Sequence, residues 1–361
     1  MANYRIATLL AEEAITAAGT KTIDINILEP ISRIELKFDI LKANVAMSAH
    51  PASDVTKIEL VDGSDVLFSL SGYECQALNI YDRKCGSMVE GCHIDANDEI
   101  SHYGIDFGRF LYDTLLALDP TKFNNLQLKI TYTLTSCDAS ASSGTMEVRA
   151  WVFDEKKVSP SGFLMSKEIY AYTCAAENSY KYIDFPLDFP IRKCLIRAYR
   201  AGYQPCDNIK EFVIDENTGT KVIMDFATEA YFSFQMTSDL ATPVFEQFQG
   251  YAIASANYKY VTPTWYWTTM NVTGEGAADL SITVGGGGGK IDLRGATSVQ
   301  CNGFVHGYLP NHCFEIPFGN PEEISDWYNT QGKSQVRLRL KAGSSGTSGT
   351  AQVVLQQLRK Y

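Results

Sequence analysis

The sequence predicts an all-β protein built as two consecutive eight-stranded jelly rolls, each with a flanking short helix. Three observations predict it. Segments of the first half return, in the same order, in the second half. Short alternations of apolar and polar residues, bounded by turn dipeptides, fill both halves. No βαβ pattern interrupts them.

The repeat opens at residues 20–31, TKTIDINILEPI, answered by YKYIDFPLDFPI at 180–191. Lys21, Ile23, Asp24, Pro30 and Ile31 match Lys181, Ile183, Asp184, Pro190 and Ile191 at an offset of 160. The segment IDFG at 105–108 returns as IPFG at 316–319, an offset of 211. Each is followed by a helix-like segment and then a charged alternating strand, LQLKITYTL from Leu126 and VRLRLK from Val336. Each strand enters a Ser/Gly loop, and Gly144, Thr145 and Val148 are answered by Gly349, Thr350 and Val353. The growing offset places roughly fifty extra residues in the second copy. They fall around residues 236–301. Ile23 should therefore superpose on Ile183, Phe107 on Phe318 and Val148 on Val353.

Residues 1–19 read as an N-terminal arm. Ile6, Leu9, Leu10 and Ile15 lie near one face of an amphipathic helix over 4–17. That face packs on its own domain or touches a neighbouring subunit or an underlying surface. The first jelly roll, 20–153, carries alternating strands at Ile23–Ile27 and 34–40, then a hairpin closed by Asp62 and Gly63. A helix over 109–118 stops before Pro120. Residues 154–179 form a linker, most loop-like at 159–162. In the second jelly roll, 180–361, a hairpin from Glu211 turns around Asn217 and Gly219. The counterpart helix opens at Pro321 with Glu322 and Glu323.

The chain has 361 residues, 45% of them hydrophobic and 20% charged, which suits a two-domain globular protein. A net charge of −11 argues against coating nucleic acid, which needs clustered Lys and Arg. Nine cysteines without a CxxC pair predict reduced thiols in an intracellular setting. No secretory signal and no run long enough to span a bilayer are present, so a soluble protein made in a cytosol is expected.

No catalytic, cofactor-binding or metal-binding residue is nominated. The glycines at 285–289 precede Lys290, but Val284 and Ile291 stand where a phosphate loop needs Gly and Ser or Thr. A flexible surface loop is the expectation. Cys92–His93 and His312–Cys313 lack zinc-finger spacing and read as buried thiols and their neighbours. The histidines form no HExxH, no serine sits in GxSxG, and nothing selects a carboxylate pair. The densest aromatic stretch, 251–267, offers Tyr258, Tyr260, Trp265, Tyr266 and Trp267 as interface residues, together with Ile6, Leu9 and Leu10 of the arm. Strands bury alternate residues, so part of the stretch is also a core candidate, and a platform for sugar rings is a third reading.

The chain resembles the double jelly-roll major capsid proteins of tailless icosahedral bacteriophages, many with an internal membrane, and of related larger viruses. The resemblance rests on the paired segments at Ile23 and Ile183, the VDGSDVLFSLSG hairpin, and the IxFG–helix–strand units at Ile105 and Ile316. It implies a helix flanking each jelly roll, at 109–118 and 322–329, and a homotrimer whose six jelly rolls mimic a hexagon. It also implies capsomer contacts with itself, minor capsid and vertex proteins as partners, an internal lipid membrane beneath, and no catalysis. The first twenty residues hold one Arg, no Lys and two Glu, so no arm neutralises packaged nucleic acid. The rival reading is a trimeric phage fibre, receptor-binding or carbohydrate-binding β-sandwich protein.

Overall fold

The computed structural model describes residues 3–43, 46–93, 98–253, 255, 257–265, 268–274, 280–284, 288–295, 299–344 and 348–361. In the first half the elements are β1 (Tyr4–Ile15), β2 (Ala18–Asp24), β3 (Ile31–Leu41), β4 (Val55–Asp62), β5 (Asp65–Leu70), α1 (Gly72–Arg83), β6 (Val89–His93), β7 (Asp98–Asp106), β8 (Leu126–Thr133) and β9 (Gly144–Phe153). The second half begins with β10 (Gly162–Thr173), β11 (Tyr180–Asp184), β12 (Ile191–Tyr199), α2 (Pro205–Asn208), β13 (Ile209–Glu216), β14 (Lys221–Ala227) and α3 (Thr228–Met236). The inserted strands are β15 (Val244–Ala252), β16 (Tyr258–Tyr260), β17 (Thr269–Gly274), β18 (Leu280–Val284), β19 (Lys290–Gly295) and β20 (Val299–Gly307). The chain closes with β21 (Cys313–Pro317), β22 (Val336–Ala342) and β23 (Thr350–Lys360).

Alternation builds each sandwich. Along β3, Ile34, Leu36, Phe38 and Ile40 are buried while Arg33, Glu35, Lys37 and Asp39 lie on the other face. The buried set meets Leu126, Leu128 and Ile130 of β8 in one core. In one sheet β9 lies between β1 and β3, and β3 pairs onward with β7. In the other, β8 lies between β2 and β4, and β4 pairs with β5. The second half repeats this pattern strand for strand. There β23 lies between β10 and β12, with β21 beyond, and β22 lies between β11 and β13, with β14 beyond. Each half is an eight-stranded jelly roll.

The expected equivalences hold at the level of register. Ile23 faces Leu128 as Ile183 faces Leu338, and Val148 faces Leu36 as Val353 faces Ile196. The Phe107 N–H donates to Ser32 O, and the Phe318 N–H donates to Arg192 O. The irregularities recur too. Bulges between Thr8 and Leu10 and between Ile31 and Arg33 reappear between Glu168 and Tyr170 and between Ile191 and Lys193.

Four expectations are corrected. Residues 4–15 form β1, not a helix. Their apolar spacing fits a helix, but a short helix alone is marginal, whereas β9 offers a ladder of backbone partners. Residues 109–118 form turns: Tyr112 has a φ of 63°, outside the helical region, and Leu118 and Leu116 spend their backbone on bridges to Ile31 and Gly162. Only one 3-10 turn, Ile324–Asp326, forms in the second counterpart. The flanking helices instead follow the hairpins, as α1 and α3. The linker 154–179 contains β10, whose Phe163, Leu164 and Met165 are buried, so the second jelly roll starts earlier than residue 180.

Candidate assembly surface

The two jelly rolls join along unlike faces. Strand β5 of the first lies parallel to β10 of the second, with Phe68 opposite Ser166 and Ser69 opposite Lys167. Strand β6 likewise lies parallel to β15 of the insertion, so both large sheets run through the two halves. Between them α1 is clamped against β12 and β21. It starts where Ser71 and Glu74 form a capping box, with the Ser71 N–H donating to the Glu74 carboxylate at 2.8 Å. Gly104 makes room for the Arg83 guanidinium, since a Cβ there would overlap Arg83 Nη2. The Asn79 amide donates to Gly104 O at 2.9 Å.

The outer face of α1 carries the charges of the junction. The Asp82 carboxylate, its side chain buried, accepts from Arg192 Nη1 at 2.6 Å, Lys193 Nζ at 2.8 Å and Gln356 Nε2 at 3.0 Å. Lys193 Nζ also meets Glu315 Oε2 at 2.6 Å. Two carboxylates and two cations balance, which is what a water-poor junction requires. Burial alone would push Asp82 up, but Arg192 and Lys193 hold it well below the ordinary carboxylate range. Tyr81 donates its hydroxyl to Cys313 O at 2.9 Å, and the Arg197 guanidinium stacks 4.1 Å from the Tyr73 ring centroid.

The outer surfaces are unevenly apolar. Ile6 on β1, Val222 on β14, Phe234 on α3 and the Phe110, Leu111 and Leu115 loop are all exposed. A groove of about 1080 Å³ runs over the β6–β15 pairing, lined in part by Glu90, Phe245, Phe248, Asn271, Asn302 and Phe304. His306 stacks on Phe245 beside it at 4.6 Å.

The nominated residues scatter. Ile6 is exposed, but the β1 bulge turns Leu9 and Leu10 toward the first core, so the three share no face. Tyr258 is exposed beneath Lys290, whose Nζ lies 3.7 Å from the ring centroid, and Tyr260 is half-buried against the first core. Trp265 is 1% exposed and packs edge-on against Phe232 at 5.6 Å in the second core, so it is no interface residue. Tyr266 and Trp267 lie outside the described residues, as do the Cys92 and His93 side chains and residues 285–287. His312 is buried, its ring 5.0 Å from Tyr199, and burial followed by Arg197 holds it down to about 3. Sequence reasoning missed α1, whose S-x-x-E start at 71–74 was the available signal, and α3, which has none.

No family model matches the sequence, and no curated protein matches it. Solved structures do. The chain superposes on the STIV MCP with a TM-score of 0.61 at 11% identity, covering 100% of this chain and 98% of that one. It superposes on the major capsid protein of bacteriophage PM2 with a TM-score of 0.56 at 10% identity, covering 99% and 98%. For the PBCV-1 virus capsid the TM-score is 0.55 at 10% identity, with coverage of 99% and 94%. The likeness is one of fold, and the fold is the double jelly roll.

Proposed function

We propose that this chain is the major capsid protein of a tailless icosahedral bacteriophage, a structural virion protein that tiles the shell as homotrimers with a hexagonal outline. The observation that carries this reading is the end-to-end likeness to capsid structures of a chain whose two jelly rolls are joined head to tail. Such a joint repeats around a closed ring when the rotation closes, and six lobes from three chains suit a flat facet. Its place is the virion, reached from the host cytoplasm, and its partners are its own copies, minor capsid and vertex proteins, and an internal lipid membrane. It performs no catalysis and does not bind the genome: the net charge is −11, and the first twenty residues hold one Arg and no Lys where phosphate neutralisation needs many.

Native mass measurement of the purified protein tests the reading. A trimer at micromolar concentration, growing into larger assemblies on concentration, is expected; a monodisperse monomer contradicts it. Binding of DNA that weakens steeply with salt would contradict the separation from the genome.

The β6–β15 groove favours a second reading, a carbohydrate-binding or receptor-binding role. Its aromatic rings beside Asn271 and Asn302 match what a sugar ring stacks on and bonds to. Glycan-array binding abolished by Phe304→Ala would support it, and a blank array would dismiss it.

A further inference from the structure

The sheet face that floors the β6–β15 groove is ordered in rows across β15, β20 and β17. In one row Gln247 and Asn271 stand on either side of Phe304, and in the next Gln249 and Thr273 stand on either side of Asn302. All six side chains are exposed. Phe245, also exposed, extends the floor, its ring centroid 5.9 Å from that of Phe304. Neighbouring strands lie about 4.8 Å apart, so amides on both flanks reach the rim of whatever is seated on the Phe304 ring. A hexose has the matching anatomy. Its C–H face is apolar, and its rim of hydroxyls donates and accepts in pairs, as a primary amide does.

Charge narrows the class of sugar. Among the described residues no Lys or Arg lines the groove, whereas Glu90 and Asp98 stand at its first-lobe end. Beside them on the same sheet lie Asp39 and Glu12. Lys37 Nζ is 3.8 Å from the Asp39 carboxylate and 3.6 Å from that of Glu12, and His102 Nε2 is 3.3 Å from that of Glu90. Among the described residues these two bases are the cationic groups in contact with the four acids. Burial, then Asp98, pushes Asp39 up to about 6, with Glu12 and Glu90 adding to the rise. This end of the groove is short of positive charge.

We propose that the groove binds an amino sugar chain, a glycan of hexosamine units with free amines. One ring stacks on Phe304 and Phe245 between the flanking amides, and ammonium groups along the chain meet Glu90 and Asp98. The proposal rests on the sugar reading of the groove and adds the charge of its ligand. An acidic glycan would bring carboxylates or sulfates against carboxylates, with no cation lining the groove to receive them, so that class is rejected. A bare polycation would satisfy the acids and leave the rings and amides unused.

The test is calorimetric titration of the full chain with tetramers of glucosamine and of N-acetylglucosamine. The amine form should bind roughly fivefold or more tightly than the acetylated form, as two exposed ion pairs allow, and should lose that margin in high salt. Phe304→Ala should weaken both tetramers roughly tenfold through the lost stacking. Glu90→Gln combined with Asp98→Asn should erase the preference while leaving the acetylated tetramer bound as before. Equal binding of the two tetramers by the native chain overturns the amine assignment and leaves the sugar reading standing. Binding of neither overturns both. Spermine, which has charge without rings, should compete only weakly; competition as strong as that of the amine tetramer would show that the groove reads charge alone and would overturn the proposal.

Discussion

At the scale of residues, the protein concentrates charge where water is scarce. Asp82 neutralises Arg192 and, with Glu315, Lys193. Asp82→Asn keeps the shape but leaves one buried positive charge uncompensated, so denaturant unfolding should show a loss of about 3–5 kcal/mol. A loss below about 1 kcal/mol would mean that water reaches the junction. Burial also pushes Asp54, Glu74 and Glu246 up to about 7. Each binds its proton more tightly folded than unfolded, so stability falls as pH rises from about 4 to about 7. His312, held down to about 3, acts in the opposite sense between about 3 and 6.5, one group against four, since burial also pushes Asp39 up to about 6. Lys259, lowered to about 7 by burial and then Lys42, opposes them only above that pH. Tm should therefore be higher near pH 5 than near pH 7. Glu246→Gln, which keeps an oxygen for the Thr262 N–H at 2.7 Å, should reduce the difference; an unchanged slope in that variant would show that Glu246 does not titrate there.

At the scale of elements, sequence and structure part over helices. Strands were legible because burial on one face of a sheet writes a period of two into sequences such as VRLRLK. The hairpins at Asp62 and Asn217 were legible from turn residues. Segment 4–15 was not, since its spacing suits a helix and only the partner strand β9 decides against one. Segment 109–118 failed for a long-range reason, the bridges of Leu118 to Ile31 and of Leu116 to Gly162 that only the folded chain supplies. The true helices occupy equivalent places but have diverged, α1 with a cap and a buried outer face, α3 with neither. Leu78→Glu should therefore destabilise the folded chain by roughly 3 kcal/mol or more, as burying a charge in a core does. Phe234→Glu, at the equivalent but exposed position, should change chain stability by less than about 0.5 kcal/mol while weakening self-association. Equal losses of stability in both variants, read by thermal unfolding, would contradict the assignment of α3 to an outer face.

At the scale of the whole molecule, the repeat was the most legible feature and the interface the least. Identities such as Ile23 with Ile183 survive because each anchors a pairing needed twice. Interface residues leave no such trace, since Trp265 and Tyr258 look alike in sequence and only three-dimensional packing puts one in a core and the other outside. What the sequence could show of assembly was its logic, two like lobes in one chain; that β1 and β14 end their sheets appears only once register is known. The proposed assembly closes these lobes into a ring of three chains and six jelly rolls. Electron microscopy of the purified protein would show the ring itself. Flat particles with a hexagonal outline and threefold symmetry are expected; rods, or single two-lobed particles the size of one chain, would refute the ring.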